Sequence, residues 1–138
     1  MFITRVERSF EAAHKNGPAG GRCFTNHGHS WKVTIETSMK NDQLDEYQWS
    51  VDFSVLKTAV DKYDHQDLNE WFTNPSAESI ATAIYNDISE KLGNNGNVTF
   101  VKIEEGHGNT LIYTGPDTDN SCDCSCNDNL ESTDGGTD

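Results

Sequence analysis

His27 and His29 flank a single glycine, so on an extended strand both imidazoles point to the same face. His14 precedes them in a separate segment that also alternates, and it shares the apolar parity of that segment. Neutral imidazoles gathered at one point are poor core filler, because each ring brings a donor and an acceptor that must be satisfied. A divalent metal satisfies three ring nitrogens at once. Three histidines also leave zinc a fourth position open, the pattern of catalytic rather than structural sites. The plainer alternative is a Gly-flanked histidine pair lying in a loop.

Other reactive groups stand near these in sequence or pattern. Cys23 lies four residues before His27 and beside Arg22. A thiol next to a cation and near a metal is acidified and can act as base or nucleophile, whereas an inert cysteine is the default for an intracellular chain. Asp64-His65 has the makings of a proton relay, since a carboxylate can orient an imidazole and stabilise its charged form. A helix terminus carrying a surface histidine is the competing reading. Glu105 shares strand parity with Val101 and Ile103, which aims a carboxylate inward, where it needs a partner such as a ligand with paired N–H donors.

The elements that must hold these groups follow from periodicity. Residues 2–14 and 27–37 alternate with period two, one through Phe2, Val6, Phe10, Ala12 and His14, the other through His27, His29, Trp31, Val33 and Ile35. The Gly- and Pro-rich run 16–22 between them predicts a loop joining an antiparallel pair. Asp52 can cap a helix with Phe53, Leu56, Val60 and Tyr63 on its buried stripe. Ser76 can cap a second helix with Ile80, Ile84, Ile88 and Leu92, ended by Gly93. Strands at 98–105 and 110–114 complete a β-β-α-α-β-β order. This predicts the α+β class, an antiparallel sheet with two helices on one face.

Composition narrows the partners. Of 138 residues, 33% are hydrophobic and 24% charged, with a formal net charge of −13. Much of that charge lies in residues 116–138, which hold seven acids, no Lys or Arg, and Leu130 as the one aliphatic residue. Such a segment cannot bury enough apolar area to offset its ordering entropy, so a disordered acidic tail is expected after a single domain at 1–115. The acidity argues against general nucleic-acid binding. There is no apolar run of membrane-spanning length and no secretory leader pattern, so neither a membrane partner nor export is expected. Three of the four cysteines crowd into the tail as Cys122, Cys124 and Cys126, which is not a disulfide framework and fits a cytoplasmic home.

Taken in order, Phe10-Glu11-Ala12-Ala13-His14, Cys23-x3-His27-Gly28-His29, Trp49-x-x-Asp52-Phe53, Tyr63-Asp64-His65, Leu68-Asn69, Asn74-Pro75-Ser76-Ala77-Glu78 and Glu105 with Tyr113 form a recognisable set. Over residues 2–115 the chain resembles the 6-pyruvoyltetrahydropterin synthase superfamily, most closely its bacterial 6-carboxytetrahydropterin synthase branch. The resemblance implies a tunnelling fold (T-fold) that oligomerises into a barrel, a hexamer built as a dimer of trimers with sites at subunit boundaries. It implies a lyase acting on 7,8-dihydroneopterin triphosphate to give 6-carboxy-5,6,7,8-tetrahydropterin, acetaldehyde and triphosphate, a step toward queuosine and other 7-deazaguanines. The pyruvoyl-forming reaction and a non-catalytic zinc- or pterin-binding role are the alternatives.

By the same resemblance His14, His27 and His29 would hold Zn2+, Cys23 would be the general base, and Asp64 with His65 would shuttle protons. Glu105 would take the pterin N–H donors, and Ser76 and Glu78 would form a second wall. Lys15 and Arg22 flank the expected site and are the candidates for the triphosphate. The chain departs from the family's Thr-rich version at Ser76-Ala77 and at Gly106-His107-Gly108-Asn109, and its Cys-containing tail is foreign to the family.

Overall fold

A computed structural model describes residues 1–21 and 24–117. Arg22, Cys23 and the tail from residue 118 on, including Cys122, Cys124 and Cys126, lie outside the described residues. The two alternating segments form β1 (Phe2–His14) and β2 (His27–Met39), paired antiparallel from Phe2 opposite Met39 to His14 opposite His27. Alternation drives the pairing: Val6, Phe10 and Ala12 from β1 meet Trp31, Val33 and Ile35 from β2 on one face, and all six are buried.

Helix α1 (Phe53–Asp61) starts at Asp52, whose carboxylate accepts from the Ser54 amide, and buries Leu56, Ala59 and Val60. Tyr63 is buried just past its end, but Phe53 is not on the buried stripe: it is 59% exposed. As the first helical residue it projects where no element among the described residues covers it. Helix α2 (Ala77–Leu92) is capped by the Ser76 hydroxyl at the Ser79 amide and stops at Gly93, whose φ of 61° suits glycine. Its stripe of Ile80, Ile84 and Ile88 is fully buried. Strands β4 (Asn97–Glu105) and β5 (Thr110–Tyr113) then extend the sheet antiparallel beyond β2.

One element departs from the expected antiparallel sheet. After α1 the chain lays a two-residue strand, β3 (Gln66–Asp67), parallel to Ala12–Ala13, giving the order β3-β1-β2-β4-β5. Two residues are too few to show any periodicity, and hydrogen bonds to β1 place them instead. Both helices pack on the apolar face of the sheet, so the fold is the α+β arrangement the pattern predicts. An exposed fork from Arg8 to both Asp61 oxygens, at 2.7 and 2.8 Å, ties the end of α1 to β1. No helix among the described residues is long and apolar enough to cross a membrane.

Because Ile84 lies with no exposed surface between α2 and the sheet, Ile84→Ala should lower the unfolding free energy by about 2–5 kcal/mol. Urea titration of the two proteins measures it.

Candidate functional site

The β1–β2 register sets His14 directly across from His27, and puts His29 across from Ala12. The three imidazoles therefore meet at one end of the pair, with ring centroids 4.6 to 5.2 Å apart. One ligand atom from each lies within 4.8 Å of the others, and no other such group of three is found among the described residues. Trp31 forms the floor, its indole edge-on to His14 at 5.0 Å and to His29 at 5.4 Å. That indole is itself locked by stacking on Phe10 and by donating to the Ala12 carbonyl.

Main-chain carbonyls decide which ring nitrogens are available. Pro75 O accepts from His14 Nδ1 at 2.6 Å, and Thr25 O accepts from His27 Nδ1 at 2.7 Å. A carbonyl can only accept, so both Nδ1 atoms carry the hydrogen and each Nε2 is left as the candidate ligand. His14 Nε2 is buried without a hydrogen-bond partner among the described residues. A buried acceptor of that kind is costly unless something fills the space before it. Burial holds the His29 imidazole below its usual pKa, against the pull of Glu105, which favours the neutral ligating form. The donor set, its tautomers and the orphaned nitrogen all fit a zinc ion.

Glu105, the last residue of β4, sits across from Trp31. Its Oε2 lies 3.4 Å from His14 Nε2 and 3.9 Å from His29 Nε2, so the carboxylate stands beside the histidine cluster.

Asp64 and His65 are pinned to β1 from the other side. The Glu11 amide donates to Asp64 Oδ1 at 2.9 Å, the His65 amide donates to the Glu11 carbonyl, and Asp64 Oδ2 lies 3.0 Å from His65 Nδ1. His65 takes a left-handed backbone, φ 60°, which histidine tolerates better than branched residues. The Glu11 amide, then His65, hold the Asp64 carboxyl below the ordinary Asp value. His65 and His29 line one open cavity of about 580 Å³, together with Glu11, Gly28 and Ser30. Its size is in the range of small-molecule sites.

The remaining candidates fall elsewhere. Ser76 Oγ is occupied in the α2 cap, Glu78 is exposed on the first turn of that helix, and neither lines this cavity. Lys15 is exposed, its backbone bracketed by Asn69, which accepts from its amide and donates to its carbonyl. Cys23 and Arg22 lie outside the described residues. His107 is exposed in the turn between β4 and β5.

Three contributors carried no role in the sequence reading: the Pro75 carbonyl, the Thr25 carbonyl and the Glu11 side chain, to which Ser30 donates at 2.9 Å. Only the last had a signal. Glu11 and Ser30 share the solvent parity of their strands and are register partners.

Comparison with known proteins shows what the chain is similar to. A profile of the family described as 6-pyruvoyl tetrahydropterin synthase matches residues 3–116. A protein of Archaeoglobus fulgidus, provisionally named 6-carboxy-5,6,7,8-tetrahydropterin synthase, is 36% identical over 94 residues, 65% of this chain and 78% of the relative. The 6-carboxy-5,6,7,8-tetrahydropterin synthase of a Synechocystis species is 32% identical over 99 residues, covering 65% of this chain and 77% of the relative. The solved 6-pyruvoyl tetrahydropterin synthase of Caenorhabditis elegans superposes with a TM-score of 0.63 at 24% identity, covering 84% of this chain and 98% of that one.

Two outcomes follow. The purified protein should carry one zinc per chain by elemental analysis, and His14→Ala should weaken zinc binding by about 100-fold or more in chelator competition, beyond what loss of an outer-shell partner costs. The contribution of Asp64 should depend on pH in a fixed direction. Its folded pKa is lowered, so its stabilisation is complete above the unfolded value and is lost as pH falls through the folded one. The stability difference between wild type and Asp64→Asn should therefore be constant near neutrality. In acid denaturation series it should shrink below the ordinary Asp value of 3.8.

Proposed function

The chain belongs to the 6-pyruvoyl tetrahydropterin synthase family, and from that membership we propose that it converts 7,8-dihydroneopterin triphosphate to 6-carboxy-5,6,7,8-tetrahydropterin. One water is consumed, acetaldehyde and triphosphate are the other products, and the pterin would feed 7-deazaguanine synthesis such as that of queuosine in the cytoplasm. The carboxy product is favoured over the pyruvoyl one by the names of the Archaeoglobus and Synechocystis relatives. The observation that carries the catalytic reading is the convergence of His14, His27 and His29, with the buried His14 Nε2 left without a hydrogen-bond partner among the described residues.

In this reading His14, His27 and His29 would hold zinc, the first two through Nε2. When bound, zinc supplies Lewis acidity to the hydroxyls of the substrate side chain and makes the neighbouring C–H protons easier to remove. Cys23 takes a proton as general base. Asp64 accepts from His65 Nδ1, fixing that nitrogen as the one that keeps its hydrogen and leaving Nε2 to exchange a proton with substrate. Glu105 accepts the paired N–H groups of the pterin ring, and Ser76 and Glu78 supply the second wall. Lys15 and Arg22 lie on the loop that would meet the triphosphate. The side chain of His65 is 80% exposed, which favours a homo-oligomer, a hexamer by family resemblance, in which a neighbouring subunit closes the site.

Incubation with 7,8-dihydroneopterin triphosphate should release acetaldehyde and triphosphate in equal amounts. Triphosphate without acetaldehyde would assign the pyruvoyl reaction, and binding without turnover would assign a pterin-binding role. Cys23→Ala should lower kcat by about 10²- to 10⁴-fold with a smaller change in KM. Full turnover by that variant would remove Cys23 as the base.

A further inference from the structure

The carboxylate of Glu105 is in an unusual position for a group whose task is to bind ring N–H donors alone. Among the described residues, the polar groups facing it are His14 Nε2 at 3.4 Å and His29 Nε2 at 3.9 Å. In the neutral imidazole, the form that binds a metal, the His14 nitrogen is a lone-pair acceptor, because its Nδ1 hydrogen is committed to Pro75 O. Carboxylate oxygen and imidazole lone pair thus face each other in a nearly dry corner, with His14 only 3% exposed. Two acceptors at that distance repel unless a cation sits between them.

The separations have a size that means something. Donors around a tetrahedral zinc, at about 2.0–2.1 Å from the ion, stand about 3.4 Å from one another. Glu105 Oε2 is at that separation from His14 Nε2 and half an ångström farther, at 3.9 Å, from His29 Nε2. The backbone holds it there. The Glu105 amide donates to Asn109 O, and the Gly106 amide donates to Ser30 O beside the histidine pair.

Resting on the zinc reading above, we infer that Glu105 is a fourth protein donor of this centre, its Oε2 closing the side the three imidazoles leave open while no substrate is bound. Ring binding and metal binding then draw on one carboxylate. Glu105 serves the ion in the substrate-free protein and is free for the pterin only once it has left it.

The test uses substrate-free, full-length protein and zinc alone. Zinc affinity is measured by competition with a chromophoric chelator for wild type, Glu105→Gln, His14→Ala and Glu104→Gln. Glu104 alternates to the opposite face of β4 and serves as the control for charge. Glu105→Gln should weaken zinc by at least about 10-fold, Glu104→Gln by little. Infrared difference spectra on zinc addition should show shifted carboxylate stretches in wild type and Glu104→Gln that are missing in Glu105→Gln. Tight zinc binding lost in His14→Ala but unchanged in Glu105→Gln, or identical infrared changes with and without Glu105, would overturn the fourth donor and leave the histidine site standing. A wild type that binds no zinc would overturn both.

Discussion

The antiparallel register between β1 and β2 is the constraint on which everything else in the molecule rests. A shift of one residue would turn every side chain of a strand to the other face. Here a slip of β2 would expose Trp31, Val33 and Ile35 and carry His27 and His29 away from His14 in the same movement. The two consequences are inseparable, because His14 and His27 are simply the last pair of the ladder that begins at Phe2 and Met39. Burial of the apolar face therefore assembles the imidazoles without help from a metal. The apolar core supplies the driving force, and the site receives its geometry from it.

Beyond the register, main-chain groups do most of the positioning. Pro75 belongs to the segment entering α2, Thr25 to the loop before β2, and the Glu11 amide and carbonyl to the outer edge of β1. Each fixes one imidazole or the carboxylate beside it. The Asn74-Pro75-Ser76 run thus has a local task apart from any contact with substrate: Pro75 orients His14 while Ser76 starts the helix. The Arg8–Asp61 fork adds little stability at an exposed site, but it ends α1 against the strand that receives Asp64 and His65. Backbone partners are well suited to this work, since they hold a ring nitrogen without titrating themselves.

How much of this was legible in the sequence depended on whether the signal was periodic. The parity of His14 with Phe10 and of His27 and His29 with Trp31 was enough to read convergence, and it was correct. The caps at Asp52 and Ser76 and the stop at Gly93 were equally readable, because capping is local chemistry. Strand β3 was not readable, being two residues held by hydrogen bonds to a strand more than fifty positions away in the chain. Nor were the carbonyls of Pro75 and Thr25, since every residue has one and only the fold selects which it uses. Phe53 misled for a related reason. Helical spacing says which residues share a face, but at the first position of a short helix it does not say that anything lies opposite.

Burial across the site falls off steeply in one direction, and this divides the chemistry into two kinds. His14 is enclosed, His27 and His29 are partly covered, and His65 stands almost free in solvent. At the histidine cluster the tautomers of His14 and His27 are set, the floor is a locked indole, and the buried His14 Nε2 has no hydrogen-bond partner among the described residues. The proton-relay end is oriented but not enclosed. An imidazole in open solvent exchanges its proton with water faster than it can deliver it to one substrate atom, so relay chemistry there requires water to be displaced. The left-handed turn at His65 spends backbone strain to hold the ring over the cavity in advance of that event. If Asp64 and His65 act as the relay proposed above, its action depends on water being displaced from His65, whereas the histidine cluster is ordered by the described residues themselves.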